Sequence, residues 1–330
     1  MSLTIIKPGL CDTIQDAGRH GQAHLGINAG GAMDTYAAGV ANLLAGNQRC
    51  EAVLEVHFPG PQILFEQNAL ISITGGDFTP YLNDEPLPLW RPIVVRRNTI
   101  LHFDKLQQGA RCYIAIHGGF NVEPWLGSYS TNLKAGAGGY EGRKLAKGDE
   151  LCFRENTVYF AGLLKEGKDF QVLNWRVDMR RIYENPHEIC FTCGHEFSEL
   201  CPNSQQDLLQ NNFIIHPFSD RMGYRLKGVP LKRKHDYELI SSGVGFGTMQ
   251  LLPDGQLIVL MADHQTTGGY PRIGHIVSAH LPKLAQLRPS DTIQFKRVDI
   301  QTAEDLLYSQ QQEMVILQRA CHDHLNELVC

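Results

Sequence analysis

Short apolar runs separated by Gly, Pro, Asn and Asp predict a mainly β protein, built as a barrel or sandwich. Two further observations support that class. The runs do not alternate with helix-length amphipathic segments, which excludes a parallel βαβ design. The sequence has no exact internal repeat, but each half also carries a Gly-rich polar loop after an apolar run, Gly118-Gly119 and then Gly268-Gly269, which is compatible with duplicated barrels.

In chain order, strands are expected at Ile63-Leu64-Phe65, Leu70-Ile71-Ser72-Ile73, Ile93-Val94-Val95, Ile100-Leu101-His102-Phe103 and Cys112-Tyr113-Ile114-Ala115-Ile116. Later ones are Phe213-Ile214-Ile215, Leu257-Ile258-Val259-Leu260 and Thr292-Ile293-Gln294-Phe295. Pro253-Asp254-Gly255 is a turn signal that makes the segment before it and the Leu257 run a hairpin. Two helices interrupt this pattern. Thr35 to Leu44 has apolar residues at helical spacing, Asp34 in the capping position and Gly46 as a stop. The second runs from about Thr302 to Glu327, with Thr302 as its cap and Leu306, Leu307, Met314, Leu317 and Leu325 as its apolar face. Composition shifts between Phe160 and Asn174, the best boundary between two halves, and Glu184 to Gln210 is ambiguous.

The composition is that of an ordinary globular protein, 43% hydrophobic and 20% charged. A net charge of −5 excludes the basic excess of a nucleic-acid binder. No apolar run approaches a membrane span, and the first residues lack a secretory pattern, so a cytoplasmic location is expected. Nine scattered cysteines do not form a disulfide framework. Cys190, Cys193, His195 and Cys201 are compact but have no standard second half for zinc, and the three cysteines read as buried or incidental thiols.

Several clusters carry chemical groups. Asp263-His264-Gln265-Thr266-Thr267-Gly268-Gly269-Tyr270-Pro271-Arg272 follows a buried strand, and loops held by rigid strands concentrate binding groups. Its glycines allow positive φ or close approach to a ligand. Ser219-Asp220-Arg221-Met222-Gly223-Tyr224-Arg225-Leu226 places Arg221 and Arg225 on one face if it is a strand, two cations fit for carboxylate or phosphate. Gln250 and Gln256 flank the hairpin turn and face the cleft that Gln265 would face. Asp12 to Gly21 brings two acids and Arg19 between a strand and a helix, an arrangement suited either to an anion or to structural capping. Trp125 to Thr131 and Gly136 to Arg143 form a Gly-rich loop whose spacing misses a dinucleotide fingerprint. Gly162 to Asp169 nearly matches a phosphate loop, but Asp169 stands where Ser or Thr should hold Mg²⁺. It reads as a surface turn.

Taken in order, these segments resemble the family of 5-oxoprolinase C subunits, also known as allophanate hydrolase subunit 2 or KipA, within the biotin-dependent carboxyltransferases. The resemblance rests on Asp12-Thr13-Ile14-Gln15-Asp16, Gly18-Arg19, Gly31-Ala32-Met33-Asp34, Ala41-Asn42-Leu43-Leu44 and Leu54-Glu55. It continues through Gly127-Ser128, Ser130-Thr131, Gly138-Gly139, Gly142-Arg143 and Gly148-Asp149. It closes on Arg221-Met222-Gly223-Tyr224-Arg225-Leu226 and Gln265-Thr266-Thr267-Gly268-Gly269-Tyr270-Pro271. It implies two cyclophilin-like β-barrel lobes, residues 3–160 and 161–300, followed by a C-terminal helix over 301–330.

It also implies a multi-subunit hydrolase that opens 5-oxo-L-proline to L-glutamate with ATP, in which this chain works with a KipI-like 5-oxoprolinase B subunit and an A subunit. On that reading Asp263, Gln265, Thr266 and Thr267 are catalytic. Arg221, Tyr224, Arg225, Gln250, Gln256, Gly268, Gly269, Tyr270, Ser130 and Thr131 hold the substrate. ATP, with Mg²⁺, serves the complex, and no biotin is attached to this chain. Two rivals are a carboxyltransferase module of the urea carboxylase type and a non-enzymatic KipA-like antagonist of a kinase inhibitor. The sequence departs from the family at Cys193-Gly194-His195-Glu196 and at Arg288-Pro289-Ser290-Asp291.

Overall fold

The computed structural model describes residues 2–154, 161–178, 180–235 and 238–329. The chain forms two compact units. The first comprises residues 1–19, 30–179 and 313–330, and the second comprises 20–29 and 180–312.

In the first unit two six-stranded sheets enclose one core. One sheet runs Glu150–Cys152, Ser2–Lys7, Gln62–Phe65, Thr99–Phe103, Pro80–Leu82 and Glu85–Pro86. The other runs Phe170–Val172, Pro92–Val95, Ala69–Asp77, Gln108–Ile116, Val53–His57 and Thr13–Gln15. Ser2–Lys7 alternates as a one-sided strand should, with Leu3 and Ile5 in the core. Ala69–Asp77 is buried on both faces because the helix Thr35–Leu44 covers its outer side. There Ser72 Oγ donates to the Ala41 carbonyl at 2.6 Å and Thr74 Oγ1 to the Ala37 carbonyl at 2.8 Å. Asp34 caps that helix by accepting the Ala37 N–H at 2.8 Å.

Asp12 opens the Thr13–Gln15 strand and is only 1% exposed. Its Oδ2 accepts the Gly9 N–H at 2.5 Å, while its Oδ1 has no hydrogen-bond partner among the described residues. Burial pushes this carboxyl up to about 7, against smaller downward pulls from the Gly9 N–H and Lys144.

The second unit is a closed barrel in the order Glu188–Cys193, Arg272–Ile276, Thr248–Leu251, Leu257–Leu260, Gly223–Lys227, Asn212–Ile215 and Thr292–Arg297. A parallel pairing of Glu188–Cys193 with Thr292–Arg297 closes it and leaves no free edge. Its interior holds Phe191, Phe213 and Phe295, with Phe295 ring centroids 5.9 and 5.5 Å from the other two. Thr248–Leu251 pairs with Leu257–Leu260 across the Pro253-Asp254-Gly255 turn, where Gly255 takes φ +79°.

Three expectations change. Phe170–Val172 pairs with Pro92–Val95, so residues 161–178 belong to the first unit and not the second. The expected boundary at 160 lies outside the described residues. The last helix spans Ile300–Val329, and Asp299, not Thr302, caps it by accepting the Thr302 N–H at 2.8 Å. Within the ambiguous stretch, Glu188–Cys193 is a barrel strand and Pro202–Gln210 a helix.

Candidate functional site

A cleft of about 1300 Å³ opens on the outer face of the second unit's barrel. Its position follows from strand periodicity. In Gly223–Lys227, Tyr224 and Leu226 point into the barrel, so Arg225 and Lys227 point out. Both line the cleft, with Ile258 directly opposite Arg225 on the neighbouring strand. Among the described residues neither cationic side chain has a hydrogen bond or ion pair. The lining acids are engaged elsewhere. Asp220 Oδ1 accepts the Met222 and Gly223 N–H groups at 2.8 and 3.2 Å, and Asp254 Oδ1 accepts the Gln256 N–H at 3.0 Å. Phe218, 81% exposed, stands at the rim against His216 at 5.1 Å.

Polar groups of the Gln265 loop and the hairpin also line the cleft. Met249 lies inside the barrel, so Gln250 faces outward, yet it is only 1% exposed. Thr267–Gly268 covers it, pairing with Ser242–Gly243 as a two-stranded strap. Gly268 is required there by close approach: a β-carbon would sit 2.6 Å from Gln250 Nε2. Of the two roles the sequence allows these glycines, positive φ or close approach, Gly268 shows the close approach, and neither Gly268 nor Gly269 takes a positive φ. Gln265 Nε2 donates to Gln250 Oε1 at 3.4 Å, and Gln250 Nε2 donates to the Tyr270 carbonyl at 3.4 Å. Beside them His264 is buried, which lowers its ring below the ordinary imidazole range. Its Nδ1 lies 2.5 Å from the Gln265 carbonyl, an obligate acceptor, so Nδ1 carries the ring proton.

The cleft therefore gathers Arg225, Gln250, Gln256, Gln265 and Tyr270 from the predicted set. Gln256 is half structural, since its amide clamps both backbone groups of Gly228 at 2.8 and 3.3 Å. Other predicted residues stand elsewhere. Arg221 precedes the strand and does not share a face with Arg225. Its guanidinium grips Asp263 at 2.8 and 3.0 Å, and the Asp263 N–H donates to the Arg221 carbonyl at 2.7 Å. Asp263, read from the resemblance as catalytic, is thereby committed to Arg221 and does not line the cleft. Tyr224 is buried in the barrel, its hydroxyl donating to the Leu287 carbonyl at 3.4 Å. Thr267 belongs to the strap and Thr266 precedes it, its carbonyl accepting the Val244 N–H at 3.1 Å; neither lines the cleft, nor do Gly268 and Gly269.

Ser130 and Thr131 belong to the first unit. There Ser130 Oγ donates to Asp16, and Thr131 Oγ1 donates to the Ile14 carbonyl at 2.9 Å. Asp16 also accepts Ser128 Oγ at 2.7 Å and the Tyr129 N–H at 2.6 Å. Arg19 donates to the Ser130 carbonyl and stacks over Trp125 at 4.6 Å. The first cluster is thus a structural knot that ties the Gly-rich loop down.

Where the sequence departs from the family, Glu196 accepts the Arg272 N–H at 2.7 Å and its guanidinium at 2.8 and 3.1 Å. Burial works to raise the Glu196 carboxyl, but the Arg272 contacts outweigh it and hold the group below the usual range. Neither residue lines the cleft. Cys190 packs with Val277 and Ala279, and among the described residues no group of three or more His, Cys, Asp or Glu is placed to hold a metal ion. Lys227, His216 and Phe218 line the cleft without having been expected there. The signal for Lys227 is the one that selects Arg225, since it lies two residues later on the same strand face.

Comparison with known proteins is consistent along the chain. The model of the family described as carboxyltransferase domain, subdomain A and B, matches residues 25–297. The 5-oxoprolinase C subunit of Escherichia coli (strain K12) is 36% identical over 301 residues, covering 91% of this chain and 93% of the relative. That of Haemophilus influenzae is 35% identical over 294 residues, covering 89% and 90%. The crystal structure of the Kluyveromyces lactis urea carboxylase superposes with a TM-score of 0.84 at 28% identity, covering 96% of this chain but 29% of that one. This chain thus spans under a third of that enzyme.

Proposed function

The chain belongs to the carboxyltransferase domain, subdomain A and B, family, and from that premise we propose that it is the C subunit of an ATP-dependent 5-oxoprolinase. With the A and B subunits it opens 5-oxo-L-proline to L-glutamate in the cytoplasm. The observation that carries this reading is the cleft, where two unpaired cations and a set of neutral amides line one wall system. A small acid bearing a lactam needs both. Arg225 takes the carboxylate in a charge-assisted pair, and Gln265 meets the lactam amide.

A lactam resists attack because amide resonance is lost, so the reaction draws on ATP. The Gly162 to Asp169 loop does not fit a nucleotide. Asp169 accepts Asn83 Nδ2 at 2.7 Å, and Arg96 occupies the Lys165 and Lys168 carbonyls at 2.9 and 2.8 Å. No ATP step is therefore assigned to this chain. Its part is to bind and orient the acid, a contribution of positioning.

The test is glutamate release from 5-oxoproline and ATP by the chain mixed with the A and B subunits. Turnover that requires all three, with a raised KM in Arg225→Met, supports the proposal. Turnover that is indifferent to this chain refutes it. The likeness to urea carboxylase supports a second reading, a carboxyltransferase that takes its carboxyl group from a partner's biotin. Carboxylation of urea with bicarbonate and a biotin carrier, without 5-oxoproline turnover, favours that one. Tight binding to the KipI-like B subunit without either activity favours the KipA-like antagonist.

A further inference from the structure

The polarity of the amide chain in the cleft is not free. It starts at the Tyr270 carbonyl, a group that can only accept. The end of Gln250 that faces it at 3.4 Å must therefore be Nε2. That choice turns Gln250 Oε1 toward Gln265, and the end of Gln265 that meets it at 3.4 Å must be its NH₂. Gln265 Oε1 is left over. Among the described residues nothing donates to it, and the residue is exposed in the cleft. Gln250 is held in this sense by its own burial and by the Gly268 backbone above it, which leaves no room for a side chain there.

We infer that Gln250 is a positioning residue whose fixed amide makes Gln265 present an acceptor, so that the cleft selects ligands carrying an N–H beside their carbonyl. This rests on the reading of the cleft as the 5-oxoproline site, and it adds what that reading lacks, the basis for choosing a lactam over a lactone. An ester oxygen in place of the ring N–H would put two acceptors face to face, and that repulsion is the selective element. One neutral hydrogen bond of this kind is worth about tenfold in affinity.

The experiment uses the complex with the A and B subunits. It compares KM for 5-oxo-L-proline with the inhibition constant of its lactone counterpart, in which oxygen replaces the ring N–H. The unaltered complex should hold the lactam about tenfold more tightly. Gln250→Met frees the Gln265 amide to rotate, so the preference should fall to about twofold, through KM and not kcat. Because Gln250 is buried, Gln265 provides an independent pair. Gln265→Glu keeps an acceptor and should keep the preference, whereas Gln265→Leu should lose it. Retention of the tenfold preference in Gln250→Met, or equal behaviour of Glu and Leu at 265, overturns the inference. If the unaltered complex binds neither compound, the parent reading falls and takes this one with it.

Discussion

Asp12→Asn isolates the energetic effect of a single buried carboxyl. Asp12 ionises near 3.8 in an unfolded chain and at about 7 in the native one. Its ionised form is therefore about 4 kcal/mol less compatible with the native state than its neutral form. The sign follows from proton linkage. Between these two values the native state holds the proton and the unfolded state does not, so stability falls as pH rises. It is fully present below pH 3.8, declines up to about pH 7, and is level above. From pH 5 to pH 8 this group alone should remove about 3 kcal/mol.

Asn at position 12 keeps an oxygen for the Gly9 N–H and cannot ionise. Any packing difference between the two proteins is a constant offset, and only the slope against pH tests the argument. Urea unfolding followed by tryptophan fluorescence suits the question, because Trp90, Trp125 and Trp175 all lie in the first unit with Asp12. The stability difference between wild type and variant should shift by about 3 kcal/mol in favour of the variant between pH 5 and pH 8. Parallel pH curves for the two proteins would refute the reasoning.

Arg225→Met should raise KM for 5-oxoproline at least tenfold with a small change in kcat, since a charged hydrogen bond contributes about 1.5–3 kcal/mol; steady-state kinetics of the complex measures it. Asp263→Ala leaves Arg221 buried without its carboxylate and should destabilise the second unit by about 3 kcal/mol, read by thermal unfolding. Asp34→Ala removes a buried helix cap and should cost about 1–2 kcal/mol of first-unit stability in the same urea assay, without altering binding in the cleft. Gly268→Ala pushes on the Gln250 amide and should weaken the lactam preference while leaving the fold intact, as judged by circular dichroism.

Local signals in the sequence carried much of this structure. Short apolar runs bounded by Gly, Pro, Asn and Asp located the strands, Pro253-Asp254-Gly255 located the hairpin, and Asp34 before Thr35 located a cap, because each depends on residues a few positions apart. Gln250, Gln256 and Gln265 were also legible as one group, since hairpin and loop bracket the same strand. What stayed hidden depends on distant partners. Arg221 looked like a ligand-binding cation, but Asp263, forty-two positions away, closes onto it. Glu196 and Arg272 neutralise each other in the same way. The return of Phe170–Val172 to the first unit's sheet lies beyond a composition break that looked like a boundary, and chain pairing across such a loop leaves no periodic trace.

The parallel seam between Glu188–Cys193 and Thr292–Arg297 has a consequence for biosynthesis. A growing polypeptide cannot complete that cylinder until the last of its staves has left the ribosome, so the earlier staves wait as an open sheet with an unpaired border. Chaperone capture and aggregation during synthesis should therefore concentrate on nascent chains whose residues 292–297 have not yet emerged, and should drop once that last strand is outside the ribosome.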